Sequence, residues 1–456
     1  MSGATAGRAG AGWDHEVDVL VMGSGGAGMC AALRAADLGL QVLIVEKDGV
    51  WGGNTAMSAG AVWVPGNRSM NAKGIADTED DGVRYLTAVT GGEVPEKRLR
   101  AFVRDANRMV DYLEARTRVR FDALARYPDY HDDLPGGRAG GRALEPLPID
   151  GELLGEEFAT LHEPYPGELM LGKFMMSVPE ARALLDPGMK PMVAMARGMT
   201  RYALRGRRRR QLGGRDPHLT MGQALAARLR LSLRDRQVPM WLSAPLRSLV
   251  VEGGRVQGAI VEQDGRDVHV QARRGVVVAA GGFERNDDMR RRYQQAPVEA
   301  AWSAASLGNT GDGIRVGEEV GAKLDAALMR EAWWTPAVRP PGLRYASVMV
   351  IEKSLPHGIF VNREGRRFTN EAASYTAVVQ AMYADDARTH ATVPCWWIVD
   401  RTYRTRFPIG PVGPARLMSD RKLQRVAPRW APGAGWLHRA GDLDALADDI
   451  GVPGAA

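Results

Sequence analysis

A chain of 456 residues, 45% hydrophobic and 25% charged, has the composition of a soluble globular protein with enough length for two domains. Its formal net charge of +6 is modest, and no apolar run approaches the roughly 20 residues that a membrane-spanning helix requires. Two cysteines, Cys30 and Cys395, are too few and too far apart for a disulfide framework or a metal cluster, so the chain reads as a cytoplasmic protein without a metal site.

Residues 1–14 are small and polar, lack the apolar core of a signal peptide, and are expected to be disordered. Val17 to Met22 is a continuous apolar run, as a parallel strand buried on both faces requires. It leads into Gly23-Ser24-Gly25-Gly26-Ala27-Gly28, a GxGxxG turn whose glycines allow a tight bend, close approach of main chain to a pyrophosphate, and packing of helix on strand. Met29 to Leu38 follows as an alanine-rich helix. Gly39 stops it, and a second apolar strand, Gln41 to Val45, ends at Glu46, placed to accept hydrogen bonds from ribose hydroxyls, with Lys47 beside it. An ordinary glycine-rich turn is the alternative, but strand, turn, helix, strand and acid fall in register, which favours a dinucleotide site. Trp51-Gly52-Gly53-Asn54-Thr55, followed by Ser58-Ala59-Gly60, selects FAD over NAD, because small residues let main chain pass close to a ribityl chain and a flavin ring.

Further along, Asp77 to Arg116 is expected to be helical with a break near Gly91-Gly92, and Tyr127 to Arg142 reads as an ordered loop. Residues 151–216 show no sharp period. Within them Arg205 and Arg207 to Arg210 form a basic tract, read either as a solvated surface loop or as a peripheral contact to anionic lipid or another acidic surface. No aromatic platform or zinc pattern accompanies it, so nucleic acid is not an expected partner. A helix from Met221 precedes a strand at Val238–Leu242. Two more strands, joined by Gly253-Gly254, begin near Leu246, a further candidate cofactor contact. Gly275 onward reads as a buried parallel strand ending in Ala280-Gly281-Gly282. Gly308 to Gly313 opens a helix at Ile314–Val320, and Thr310 and Asp312 there suit either a polar cofactor tail or a well-capped turn. Strands are expected at Arg344–Ile351, Gly358–Asn362 and Trp396–Asp400. The fold class is therefore α/β: a Rossmann-like FAD-binding domain over 15–332, with an insertion at about 108–220, and a second α+β substrate domain over 333–456.

The segments VMGSGGAGMCAA, WGGNTAMSAGAVWVP, NTGDG and SLPHGIFVNREGRRFTNEAASY together resemble the flavoproteins related to fumarate reductase and, among them, the 3-ketosteroid Δ1-dehydrogenases. The resemblance implies noncovalent FAD, since Asn54 and Thr55 follow Gly53 where succinate dehydrogenases carry a histidine. Fumarate reductases place a proton-donating arginine after Arg-Phe-x-Asn-Glu; here the fifth residue after Asn370 is Tyr375. A phenol lacks the charge and fork of a guanidinium, so a dicarboxylate substrate fits poorly. In the ketosteroid dehydrogenases the matching tyrosine is the catalytic base, which implies that Tyr375 takes the proton beside the carbonyl while the hydride goes to flavin N5. A second tyrosine is implied as its helper. Tyr130 is the first choice and Tyr127 the second, the alternative being that both only pack the loop. Other readings are a Δ4-dehydrogenase, a fumarate-type reductase using Arg344, Arg366 or Arg367, and a non-catalytic fragment. The electron acceptor is not indicated. The family also has a closing segment bearing Tyr-Pro-Gly; none occurs near the end of this sequence, and the chain alone is expected to be a poor or inactive enzyme.

Overall fold

The computed structural model describes residues 12–186, 188–325, 332 and 334–453. The chain divides into two compact units, residues 1–283 with 306–323, and residues 284–305 with 324–456.

The first unit is built on strand β1 (His15–Met22), helix α1 (Gly26–Asp37) and strand β2 (Val42–Val45). The two strands lie in a six-stranded sheet and pair in parallel with each other, which is why Leu20 to Met22 and all of β2 are apolar and buried. On its other side β1 pairs in parallel with the end of a 13-residue strand, Arg266–Val278, whose beginning pairs antiparallel with Arg255–Gln263. The strand expected from Gly275 is thus the last part of a longer one. Charged residues before Gly275 hide its start, because an antiparallel ribbon with one wet face tolerates them. Its end is also not buried as expected, since Val277 is 36% and Val278 43% exposed. The strand expected at Val238–Leu242 shrinks to Met240–Trp241 at the sheet edge, where Pro239 can accept a hydrogen bond but not donate one.

The helix Met221–Arg234 packs beneath α1 and the short helix α2 (Gly53–Met57), and buries all but two of its residues. The expected helical region forms as Glu79–Val89 and Glu96–Arg116, separated at Gly91 and Gly92, both with positive φ. Tyr127 to Arg142 holds no helix or strand. The stretch without a sharp period contains the helices Val178–Ala183, Lys190–Leu204 and Gly206–Gln211. Of the N-terminal residues expected to be disordered, 1–11 lie outside the described part. Asp14 is held, its N–H donating to His269 O and its carboxylate accepting from His269 N.

The second unit contains the antiparallel pair Gly358–Val361 and Trp396–Val399 and the helix Tyr375–Thr389, around a small core of Met349, Phe360 and Val378. Of the strand expected at Arg344–Ile351 only Ser347–Val348 forms, paired with Ala337–Val338. Where the sequence suggests a border after residue 332, residues 284–305 belong to the second unit. Arg285 donates to Ala305 O, and Tyr383 donates to Pro297 O at 2.9 Å, long-range ties with no local signature. Cys30 and Cys395 are free thiols. No described helix is long and apolar enough to cross a membrane.

Glu145 is buried on the strand Ala143–Pro146, and burial pushes its carboxyl from 4.5 to about 7. A folded-state value above the ordinary one means that its contribution to stability is present in full below about 4.5 and is lost as pH rises through about 7. Glu145→Gln keeps an acceptor for Val178 N and should remove this loss, on the order of 3 kcal/mol, so that its melting temperature falls less than that of the parent between pH 5 and 8.

Candidate functional site

The chain leaves β1 at Gly23 and turns directly into α1, so close that a Cβ on Gly28 would collide with the Gly23 carbonyl. Ser24 is fully buried at this turn. Its N–H and Oγ donate to Glu46 Oε2 at 3.0 and 2.6 Å, and its Oγ accepts from Gly52 N at 3.0 Å. Asp48 N donates to Glu46 Oε1 at 3.1 Å. Glu46, expected only to meet ribose, therefore also ties the glycine turn to the start of α2; a carboxylate offers about four acceptor positions, and the three used here leave room for one hydroxyl.

Lys47 donates to Thr310 Oγ1 at 2.7 Å and to the Asp312 carboxylate. Thr310 and Asp312, expected to face a cofactor tail, thus hold Lys47. This places the 306–323 segment beside the nucleotide turn, with Gly311 N donating to Gly282 O at 3.0 Å. Ala280 and Gly281 follow Ala279, whose N–H bonds Met22 O at 2.8 Å. Leu246 is 4% exposed with its side chain in the apolar core, leaving only its main chain to reach a ligand.

Thr55 Oγ1 accepts from Gly26 N at 2.8 Å, and Asn54 Oδ1 accepts from Ser306 N at 2.6 Å. Ser58 Oγ accepts from Gly60 N at 3.0 Å, Ala59 is exposed beside it, and a Cβ on Gly60 would stand 2.6 Å from Gly222 N. Gly25 and Gly53 differ from these packed glycines. A Cβ on Gly25 would meet only Thr55 Oγ1 at 3.8 Å, and one on Gly53 only Gly25 Cα at 3.9 Å. Main chain therefore lines an open trough at the N-terminus of α1, a 12-residue helix with no acid in its first turn and no side-chain cap. A helix start without an acid, with Thr55 meeting only the Gly26 amide, and a surface free of side chains fit a pyrophosphate and a flavin.

Tyr127 and Tyr130 are brought together in the first unit. Burial, and then the neighbouring Tyr130, raise the Tyr127 phenol above its ordinary value, while Tyr130 is 46% exposed. Their loop is pinned by a buried charge cluster that the sequence does not announce. Arg142, 1% exposed, donates to both oxygens of Asp77 at 2.7 and 2.8 Å and to Asp129 at 2.7 Å, and its guanidinium lies 5.5 Å from the ring centres of Trp63 and Tyr85. Trp63 Nε1 donates to the same Asp129 at 2.7 Å.

Tyr375 lies in the second unit, buried, as the first residue of the helix Tyr375–Thr389 after the Ser374 cap. Lys353, 1% exposed, holds the segment leading to it by donating to Glu371 O at 3.0 Å and Ala373 O at 2.5 Å; burial lowers its ammonium to about 8. Arg367 is engaged by Glu371 at 2.6 Å and Arg366 is 3.9 Å from Glu364. Lys353, Arg142, Gly222 and Gln223 are the residues that the sequence reading misses. Gln223 is fully buried and donates to Ala56 O at 2.7 Å and His162 O at 2.8 Å. A glutamine at the start of an otherwise apolar buried helix is the one signal that could have marked it.

The family described as "FAD binding domain" matches residues 18–432, which makes the protein a flavoprotein with FAD as its cofactor. The 3-oxosteroid 1-dehydrogenase of Mycolicibacterium smegmatis is 34% identical over 96% of this chain and 75% of its own length. A 4-oxocyclohex-2-ene-1-carboxylate 5-dehydrogenase of Sinomonas cyclohexanicum is 33% identical over 96% of this chain and 72% of its own. The crystal structure of a 3-ketosteroid Δ1-dehydrogenase from Sterolibacterium denitrificans with 1,4-androstadiene-3,17-dione superposes with a TM-score of 0.88 at 42% identity, over 96% of this chain and 77% of that one. The chain belongs to the 3-oxosteroid 1-dehydrogenase family of FAD-dependent oxidoreductases.

Gly25 has φ −68°, which alanine adopts without strain, and open space beyond it. Gly25→Ala should therefore keep its unfolding free energy within about 0.5 kcal/mol while its flavin affinity, followed by fluorescence quenching, drops about tenfold or more. Arg142→Met leaves the buried Asp129 with no cation among the described residues, only Trp63 Nε1 and the Arg138 amide, and Asp77 with Arg138 at 3.2 Å, and should cost about 3 kcal/mol in urea unfolding.

Proposed function

We propose that the protein dehydrogenates a 3-ketosteroid between C1 and C2, with Tyr375 as the base that takes the C2 proton. The observation that carries this reading is a buried tyrosine at the first position of a 15-residue helix, in the segment where a dicarboxylate reductase needs a cation. The C2 proton is the more acidic of the two that leave, because the C3 carbonyl delocalises the charge. A phenol with an ordinary value of about 10 must be stabilised as its anion to accept that proton. The positive end of the helix dipole at Tyr375 contributes in that direction. Lys353 serves by position, clamping the carbonyls of Glu371 and Ala373 and so fixing the backbone that presents Tyr375. Bound FAD supplies the hydride acceptor. Gly23 to Gly28, Glu46, Lys47, Gly52 to Thr55, Ser58 to Gly60, Ala280 to Gly282, Thr310 and Asp312 form its proposed site, with Leu246 contributing main chain only. Asn54 and Thr55, and not a histidine, follow Gly53 in the chain, so the flavin is held without a covalent bond and acid precipitation should release it. Tyr130, with Tyr127 as the second choice, is the proposed helper that stabilises the anion of the base. The two free thiols support a cytoplasmic setting.

A second reading, oxidation of a small cyclic ketone carboxylate, draws on the Sinomonas relative. It requires a guanidinium free for the carboxylate, and Arg367 is already engaged by Glu371. Product analysis with a 4-ene-3-ketosteroid and with a 4-oxocyclohexanecarboxylate, each with an artificial dye acceptor, separates the two.

Tyr375→Phe should retain flavin absorbance and melting temperature while steroid-dependent dye reduction falls by about 10²–10⁴-fold. Normal turnover in that variant would remove Tyr375 from the mechanism.

A further inference from the structure

The helix Lys190–Leu204 carries its apolar face outward. Met189, Met192, Val193, Ala196, Met199 and Leu204 follow one another at helical spacing along one exposed stripe, its large side chains between 51% and 81% exposed. The polar and bulky residues point the other way. Arg201 donates to Glu180 at 2.9 Å and to Met175 O at 3.1 Å. Arg205 lies 3.7 Å from Asp150, and the Tyr202 ring packs 5.9 Å from Phe174. A Cβ on Gly198 would stand 2.5 Å from the Phe174 ring. These contacts fix the helix about its axis, so the apolar stripe cannot turn inward without breaking an ion pair and forcing main chain against an aromatic ring.

Cations border the stripe. Lys190, engaged by Asp186 at 3.2 Å, and Arg197 flank it within the helix, and the following short helix Gly206–Gln211 adds the arginine tract. That tract divides by role. Arg208 is engaged by Glu152 at 3.1 Å and Arg209 lies over the Tyr202 ring at 3.7 Å, whereas Arg207 and Arg210 are exposed and pair with no carboxylate among the described residues. No acidic residue occurs between Gly188 and Gly214.

We propose that this stripe is a membrane-docking face, with Met189, Met192, Val193, Met199 and Leu204 entering the headgroup–acyl boundary of an anionic bilayer while Arg197, Arg207 and Arg210 lie against its phosphates. An amphipathic helix with a basic border is the form that interfacial binding takes. Three unbranched methionines adapt to a disordered acyl surface better than to a fixed pocket. A second copy of the chain is the less favourable occupant, because a two-fold contact through this stripe would set two basic borders against each other. Docking would bring the protein to where an apolar ketone of the proposed class dissolves; the docking is measured without turnover, so the two readings can fail separately.

The test is flotation of the purified full chain with vesicles of phosphatidylcholine containing phosphatidylglycerol, and with vesicles of phosphatidylcholine alone. The parent is expected to float with the anionic vesicles and much less with the neutral ones. Met192→Glu/Met199→Glu, on the exposed face, should keep flavin absorbance and melting temperature and weaken binding at least about tenfold. Arg207→Ser/Arg210→Ser should lose most of the preference for the anionic lipid. A parent that floats with neither vesicle, or a methionine double variant that floats as well as the parent, overturns the proposal. So does light scattering that shows a parent dimer which the methionine variant dissociates.

Discussion

Where the helix Met221–Arg234 begins, its backbone lies directly against the Thr55–Gly60 segment. A Cβ on Gly222 would overlap the carbonyls of Thr55 and Ser58, and Gly222 N donates to Ser58 O at 2.9 Å. The buried helix therefore sets the height of α2, and with it Thr55, whose hydroxyl accepts from the first turn of α1. It also sets Asn54, which receives the amide of Ser306 from a segment some 250 residues away. Gln223, one residue on, fastens Ala56 and His162 to the same helix. The geometry of the proposed flavin site thus follows from how deeply one apolar helix can sink beneath α2, which requires glycine on both sides of the crossing, Gly60 and Gly222.

The nucleotide half was legible because its partners are neighbours in the chain. β1, the glycine turn, α1, β2 and Glu46 span fewer than 40 residues, and each step has its own composition signal. What escaped depends on distance. Lys353 acts on carbonyls about 20 residues away, Arg142 on Asp77 across 65, and neither arginine nor lysine at such positions differs in sequence from a solvated one. The grouping of residues 284–305 with the second unit has no local signal for the same reason, since a tyrosine hydroxyl 86 residues further on holds them. The Arg266–Val278 strand shows the reverse difficulty: its residues alternate strongly enough, but one strand serves an antiparallel ribbon at one end and a parallel sheet at the other, and no single period describes both.

In and beside residues 151–216, the stretch without a sharp period, burial holds several groups toward their neutral forms. Besides Glu145, the Glu168 carboxyl is pushed up to about 8 and the His218 imidazole down to about 4, with desolvation the first cause in each. Charge is retained where a carboxylate matches it, as in Glu157 with Arg230 at 2.6 Å, or where carbonyls receive it, as in Arg215, which donates to Leu161 O at 2.8 Å. Apolar residues there are divided between the interior, as at Leu154, Phe158 and Leu161, and the surface, as at Leu153, Leu171 and Met192, which erases any single hydrophobic period.

Burial also governs the sulfur chemistry of the chain. The Cys30 thiol on α1 is pushed up to about 11 and that of Cys395 to about 12, both by desolvation. At neutral pH the thiolate of Cys30 is then about one part in ten thousand, and thiolate is the form that peroxide and electrophiles attack. A reduced flavin left in air generates peroxide beside its own polypeptide. With both cysteines held as inert thiols, the oxidative wear of turnover falls instead on exposed methionine, a lesion that reductases can reverse.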